Sequence, residues 1–170
     1  YFAKANSAHS AYFRGDYKKA AEMMGSIEPA PRDRLLHLMD LGIMQHAAGE
    51  YAESSKTLES AENLADYFRA KSVTKEVGGT LTTEEIADFS GDRHERIFIA
   101  VFRMLNYVML DDWDGALVEV RRISTIVEKE YGASRSDFDN AFAIYFSAVV
   151  WEALGQLNDA FIDYKRLARD

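Results

Sequence analysis

The chain has 170 residues, 48% of them hydrophobic and 28% charged, with a formal net charge of −8 and no cysteine. The length allows a buried core without cross-links, the composition excludes a disordered chain, and the negative balance argues against a phosphate-binding surface, so no nucleic-acid partner is expected. Disulfides and thiolate metal sites are ruled out, and no run approaches the ~18 apolar residues of a membrane span.

The two prolines, Pro29 and Pro31, sit together, and the remainder is rich in Ala, Leu, Glu, Lys and Arg, so helix is favoured throughout. In chain order the patterning predicts helices at 2–13, 17–26, 32–47, 51–74, 93–109, 113–130, 137–153 and 157–169. Between the first two stands Arg14-Gly15-Asp16, which reads either as an adhesion tripeptide or as a corner between helices. A corner should recur, and this one does: RGDYKKAAEMM at Gly15, AGEYAESSKTL at Gly49, LDDWDGALVEV at Asp111 and LGQLNDAFIDY at Gly155. Each has a turn residue, then a polar residue, then Tyr17, Tyr51, Trp113 or Leu157 two places on, and Ala20, Ser54, Ala116 or Ala160 five places on. The turn residue ends one helix, the large side chain plugs the corner, and the small one lets the second helix approach the first. Arg14 alone is not shared, so the corner reading is favoured over adhesion.

Gly15 and Gly49 are 34 residues apart. With that period, the corner and the small residues at Ala8, Gly42 and Ala148, the chain resembles the tetratricopeptide repeat (TPR). Large apolar residues late in the second helices fall at Met24, Leu58, Val120 and Tyr164, whereas Met104 stands where the third copy should be small. The later intervals lengthen to 62 and 44 residues. The resemblance implies an all-α fold of stacked antiparallel helix pairs, an α-solenoid of about four pairs forming a single domain over 1–170 with an insertion at about 75–92. Within the insertion, Val77-Gly78-Gly79-Thr80 reads as a flexible loop and Thr83 to Phe89 as at most a short helix. Thr82 with Glu85, and more weakly Ser136 with Asp139, have capping-box spacing.

Residues 89–122 carry a second resemblance, to a family of poorly characterised bacterial TPR-like envelope lipoproteins. It rests on Phe89, Gly91, Glu95, Arg96, Leu105, Asn106, Tyr107, Val118, Glu119, Arg121 and Arg122, with departures at Met104 and Asp111. It implies a bacterial cell-envelope or periplasmic protein held to the membrane by a lipid anchor upstream of Tyr1; a cytoplasmic setting is equally compatible with the composition.

Glu119 and Arg122 share a helical face at i,i+3, the spacing of an ion pair. Glu95, Arg96, Asn106 and Arg122 read either as structural salt bridges and a satisfied buried amide, or as a cluster that grips a peptide or carboxylate. His9, His37, His46 and His94 are scattered, and His-Glu-Arg-Ile-Phe lacks the second histidine of a zinc helix. Asp111, Asp112 and Asp114 lack the alternation and terminal Glu of a calcium loop. With no phosphate loop and no nucleophile elbow, neither catalysis, cofactor nor metal is expected.

On the geometry the resemblance implies, the first helices would line a groove from Phe2, His9, Tyr12, Phe13, Met39, Ile43 and His46 to Phe98, Val101, Leu105, Val108, Met109, Phe142, Tyr145, Val149 and Glu152. The middle pairs are expected to be more covered, leaving Phe2, His9, Tyr12, Phe13 and His46 as the open face. The expected function is a noncatalytic scaffold that binds a protein or peptide. Two alternatives remain: a small-molecule binder or enzyme using Glu95, Arg96 and Arg122, and a homo-oligomer whose apolar face packs on itself.

Overall fold

The structure, a computed structural model, describes residues 2–77, 93–131 and 141–168, with side chains for 4–70, 95–127 and 141–168. Their regular elements are all helical: α1 (Phe2–Phe13), α2 (Tyr17–Gly25), α3 (Arg34–Ala47), α4 (Tyr51–Val77), α5 (Arg93–Met109), α6 (Trp113–Tyr131), α7 (Ala141–Ala153) and α8 (Leu157–Leu167). A 3-10 turn, Pro31–Asp33, leads into α3, with Pro31 at the first-turn position that tolerates a missing N–H. The expected insertion begins inside α4, which runs three residues past its expected end, and its remainder at 78–92 lies outside the described residues, as do both capping boxes.

The four corners are one motif built four times. Gly15, Gly49, Asp111 and Gly155 have φ of 84, 80, 59 and 72°, the left-handed conformation that ends a helix. Each donates to a carbonyl three residues back (Tyr12, His46, Val108, Glu152), and the next residue donates to one five back (Ala11, Gln45, Tyr107, Trp151), the paired bonds of a Schellman cap. Asp111 is the one that is not glycine. A short polar side chain tolerates this region best, and its carboxylate accepts a 2.7 Å bond from Trp113 Nε1. Gly15 and Asp16 therefore do what their counterparts do at the other corners.

The chain groups into two compact units, Tyr1–Asp92 and Arg93–Asp170. In the first, α1 packs on α2, α2 on α3 and α3 on α4; in the second, α5 packs on α6, α6 on α7 and α7 on α8, and α5 also touches α7. This is the sequential stacking of helix pairs that makes each unit TPR-like.

Inside the pairs, size is matched across the seam. Ala20, Ser54, Ala116 and Ala160 are all buried. In the second pair Gly42 lies so close to Leu58 that a Cβ would stand 2.6 Å from its Cγ, and Ser54 Oγ donates to the Gly42 carbonyl at 2.7 Å. The third pair inverts the sizes. Met104, fully buried, occupies the usual small position, and Val120 takes the usual large one.

Candidate functional site

The densest polar cluster of the second unit lies within the α5–α6 seam. Arg103 Nη2 is 3.2 Å from Glu119 Oε1, and Arg122 Nε is 3.4 Å from Glu119 Oε2. The Glu119 side chain is 1% exposed, that of Arg103 8%, and that of Arg122 36%. Arg103 also approaches the Tyr107 hydroxyl at 3.4 Å, with its guanidinium 6.0 Å from the ring centre. Tyr107 is seated by a glycine: a Cβ on Gly115 would be 2.7 Å from its Cδ1. Asn106, one helical turn from Arg103 on α5, is fully buried.

A carboxylate held between two guanidiniums inside a seam is neutralised by its own neighbours, because each charge must be paired to be worth burying. It has no open side from which to attack or protonate a substrate. Spacing along the chain does not single out Arg103. Its signal was nevertheless there: it interrupts the apolar stripe of Ile97, Ala100, Val101 and Met104, opposite Glu119 in the stripe of Ala116, Val120 and Ile123. One charge of each sign in facing apolar stripes of a hairpin marks a buried pair.

Of the residues expected to grip a ligand, Arg122 joins this network from its rim and Asn106 is fully buried on α5. Glu95 and Arg96 sit half-buried in the first turn of α5, with Arg96 about 10 Å along the axis from Arg103.

In the first unit, His9 Nε2 meets Asp40 Oδ2 at 3.1 Å, bridging α1 and α3. Burial pushes the Asp40 carboxyl above the usual carboxylate range, against the pull of His9 and His37, and burial lowers the pKa of His37. His46 packs edge-on against Tyr51 at 5.5 Å. Phe13 is 84% exposed and forms an edge-to-face chain through Tyr12 to Tyr17. The Phe2 side chain lies outside those described. A depression of about 570 Å³ opens at this corner, lined by Gly15, Asp16, Tyr17, Lys18 and Lys19 and by Ala47 and Ala48 from the end of α3.

The first helices of the second unit carry an apolar face of uneven exposure. Val101 is buried and Leu105 and Val108 are half-buried, but Phe98 stays open at 37%. On α7, Phe142, Tyr145 and Val149, spaced i, i+3 and i+7, are 59, 49 and 37% exposed. Phe142 is braced by Phe146 at 4.7 Å between ring centres.

No family model matches the chain, and no curated protein does. Among solved structures, one from Podosopora anserina is similar: nearly identical TPR-like repeats of a protein described as a kinesin light chain. It aligns over 98% of this chain and 92% of that one, at 14% identity and a TM-score of 0.43. So distant a likeness bears on nothing further, and the TPR-like character rests on the corners and seams themselves. Among the described residues, no three acidic or histidine side chains are placed to hold a metal, and no helix is long and apolar enough to cross a membrane.

Proposed function

We propose that this protein is a noncatalytic docking scaffold for a protein or peptide. The observation that carries the reading is the α7 stripe of Phe142, Tyr145 and Val149, a rigid aromatic face left open on a stacked helix pair. Rings with few rotatable bonds lose little entropy on binding, which makes such a face a good anchor for a helix or an extended segment. Tyr12, flanked by the rings of Phe13 and Tyr17, supplies with His9 and His46 of the first unit a second and more polar docking face. The self-neutralised Glu119 favours this reading over an enzyme using Glu95, Arg96 and Arg122. The resemblance over residues 89–122 is what supports a bacterial envelope complex as the setting.

The test is affinity capture from the source organism with three baits: the native chain, Phe142→Glu with Val149→Glu, and Tyr12→Glu. Loss of the same partner from a bait that keeps its helical circular dichroism is the expected result. Identical partner sets for all three baits would overturn the docking reading.

A further inference from the structure

Ala47 and Ala48 form one side of the depression at the first corner, and Gly15 to Lys19 form the other. Its walls are small and there is room above them: a Cβ built on Gly15 would meet nothing within 4 Å. Its rim is basic. The Asp16 carboxylate lies 3.7 Å from Arg14 Nε, whereas the exposed Lys18 and Lys19 have no acidic partner among the described residues. On a chain with a net charge of −8, this hollow therefore carries uncompensated positive charge.

The third corner has the opposite character. Superposing Gly49 on Asp111 puts Met109 and Leu110, at the end of α5, where the end of α3 has Ala47 and Ala48. The same two places change from methyl groups to two large apolar side chains, which are 56 and 45% exposed. An acidic frame surrounds them, with Asp111, Asp112 and Asp114 all exposed. Asp111 stands where the other three corners have glycine, at a φ of 59° that glycine would hold with less strain. Its carboxylate is fixed by Trp113 Nε1 and that of Asp112 by the Gly115 N–H, while Asp114 points no hydrogen bond at a described neighbour.

One chain thus carries a hollow with small walls and a basic rim, and a tip with large apolar side chains and an acidic frame. The tip supplies the bulk that the hollow lacks, and the two charges are opposite. Both are corners inside the chain with a further helix stacked on their second helix, α3 on α2 and α7 on α6, so neither is the outward face of a first or last helix.

We propose that the third corner of one copy docks in the first-corner hollow of a second, with Met109 and Leu110 over Ala47 and Ala48 and the Asp114 carboxylate facing Lys18 and Lys19. Tip and hollow are different surfaces, so copies close as a dimer only by exchanging both contacts and otherwise add in a row. So small a contact is reversible and depends on concentration. It uses no residue of the α7 face, so it and the docking reading can fail separately.

Sedimentation velocity of the full chain from micromolar to millimolar concentration tests this, with circular dichroism to confirm that every variant folds. The native protein should grow beyond its 19.2 kDa monomer as concentration rises. Met109→Glu with Leu110→Glu removes the tip, Lys18→Glu with Lys19→Glu removes the hollow, and each variant should stay monomeric alone. Their mixture retains one native tip and one native hollow and should form a dimer of one copy of each and nothing larger. Asp114→Lys should weaken association about three- to fivefold, and Lys18→Asp in the same chain should recover it. Phe142→Glu with Val149→Glu should associate as the native chain does. A native chain that is monomeric throughout, a tip or hollow variant that still self-associates, a mixture that stays monomeric, or loss of association in the α7 variant would overturn the proposal.

Discussion

The α3–α4 seam and the α5–α6 seam have the same helix-pair geometry and opposite interiors. The first is neutral and steric: Gly42 takes the weight of Leu58, and one hydroxyl closes on one carbonyl. The second is charged, with Glu119 and Arg103 both nearly excluded from water. The difference teaches that the repeat fixes how large the seam residues can be in sum and leaves their chemistry free. A steric seam fails by crowding, a charged one by losing a partner, and the two are expected to break with different magnitudes.

The largest effect belongs to the charged seam. Glu119→Ala leaves Arg103 buried without its carboxylate and should cost about 3–5 kcal/mol in urea unfolding. The double variant Arg103→Met with Glu119→Leu, which makes this seam resemble the other, should recover that loss and be neutral or up to ~4 kcal/mol more stable than native. A double variant as unstable as Glu119→Ala would show that the charges hold the seam in a way that packing cannot replace.

The steric seam should respond less. Gly42→Ala places a methyl against Leu58 and should cost about 1–3 kcal/mol. Leu58→Ala should itself cost about 2–5 kcal/mol by leaving a cavity. Because the added methyl then has somewhere to go, the two changes together should cost clearly less than their sum, and strict additivity would contradict the close approach.

The two seams also differ in how far they could be read from the chain alone. The helix pairs were legible because each corner repeats its grammar over eleven residues, so Gly42, Leu58 and Ser54 fell out of the spacing as packing residues. Glu119 and Arg122 were visible as an i,i+3 pair on one helix. Arg103 was not, because its partner is sixteen positions away on the next helix and only the register of the hairpin brings them together. Asn106 reads both as a possible ligand group and as a satisfied amide, since an amide within an apolar helix demands partners of either kind, and burial alone does not separate the two readings.

The smallest expected effects are those of pH on the first unit, where charge returns in the contact between α1 and α3. Burial lowers the pKa of His37 below the ordinary imidazole value of 6.5, so the folded chain prefers the neutral ring. Between the folded value and 6.5 the unfolded chain binds more protons than the folded one, so stability rises with pH through that window and is lost as the medium is acidified. Asp40 runs the other way. Its carboxyl is raised above 3.8 by burial, so the folded chain binds the extra proton, and stability falls as pH climbs from 3.8 to the raised value. Urea midpoints measured from pH 4 to 7 should therefore show two opposed contributions, one rising toward 6.5 and one falling from 3.8. Replacing His37 by Leu should remove the rising contribution, and replacing Asp40 by Asn the falling one, while each also shifts the other group because the two interact. A rising slope that survives in His37→Leu would show that the buried His37 ring is not its source.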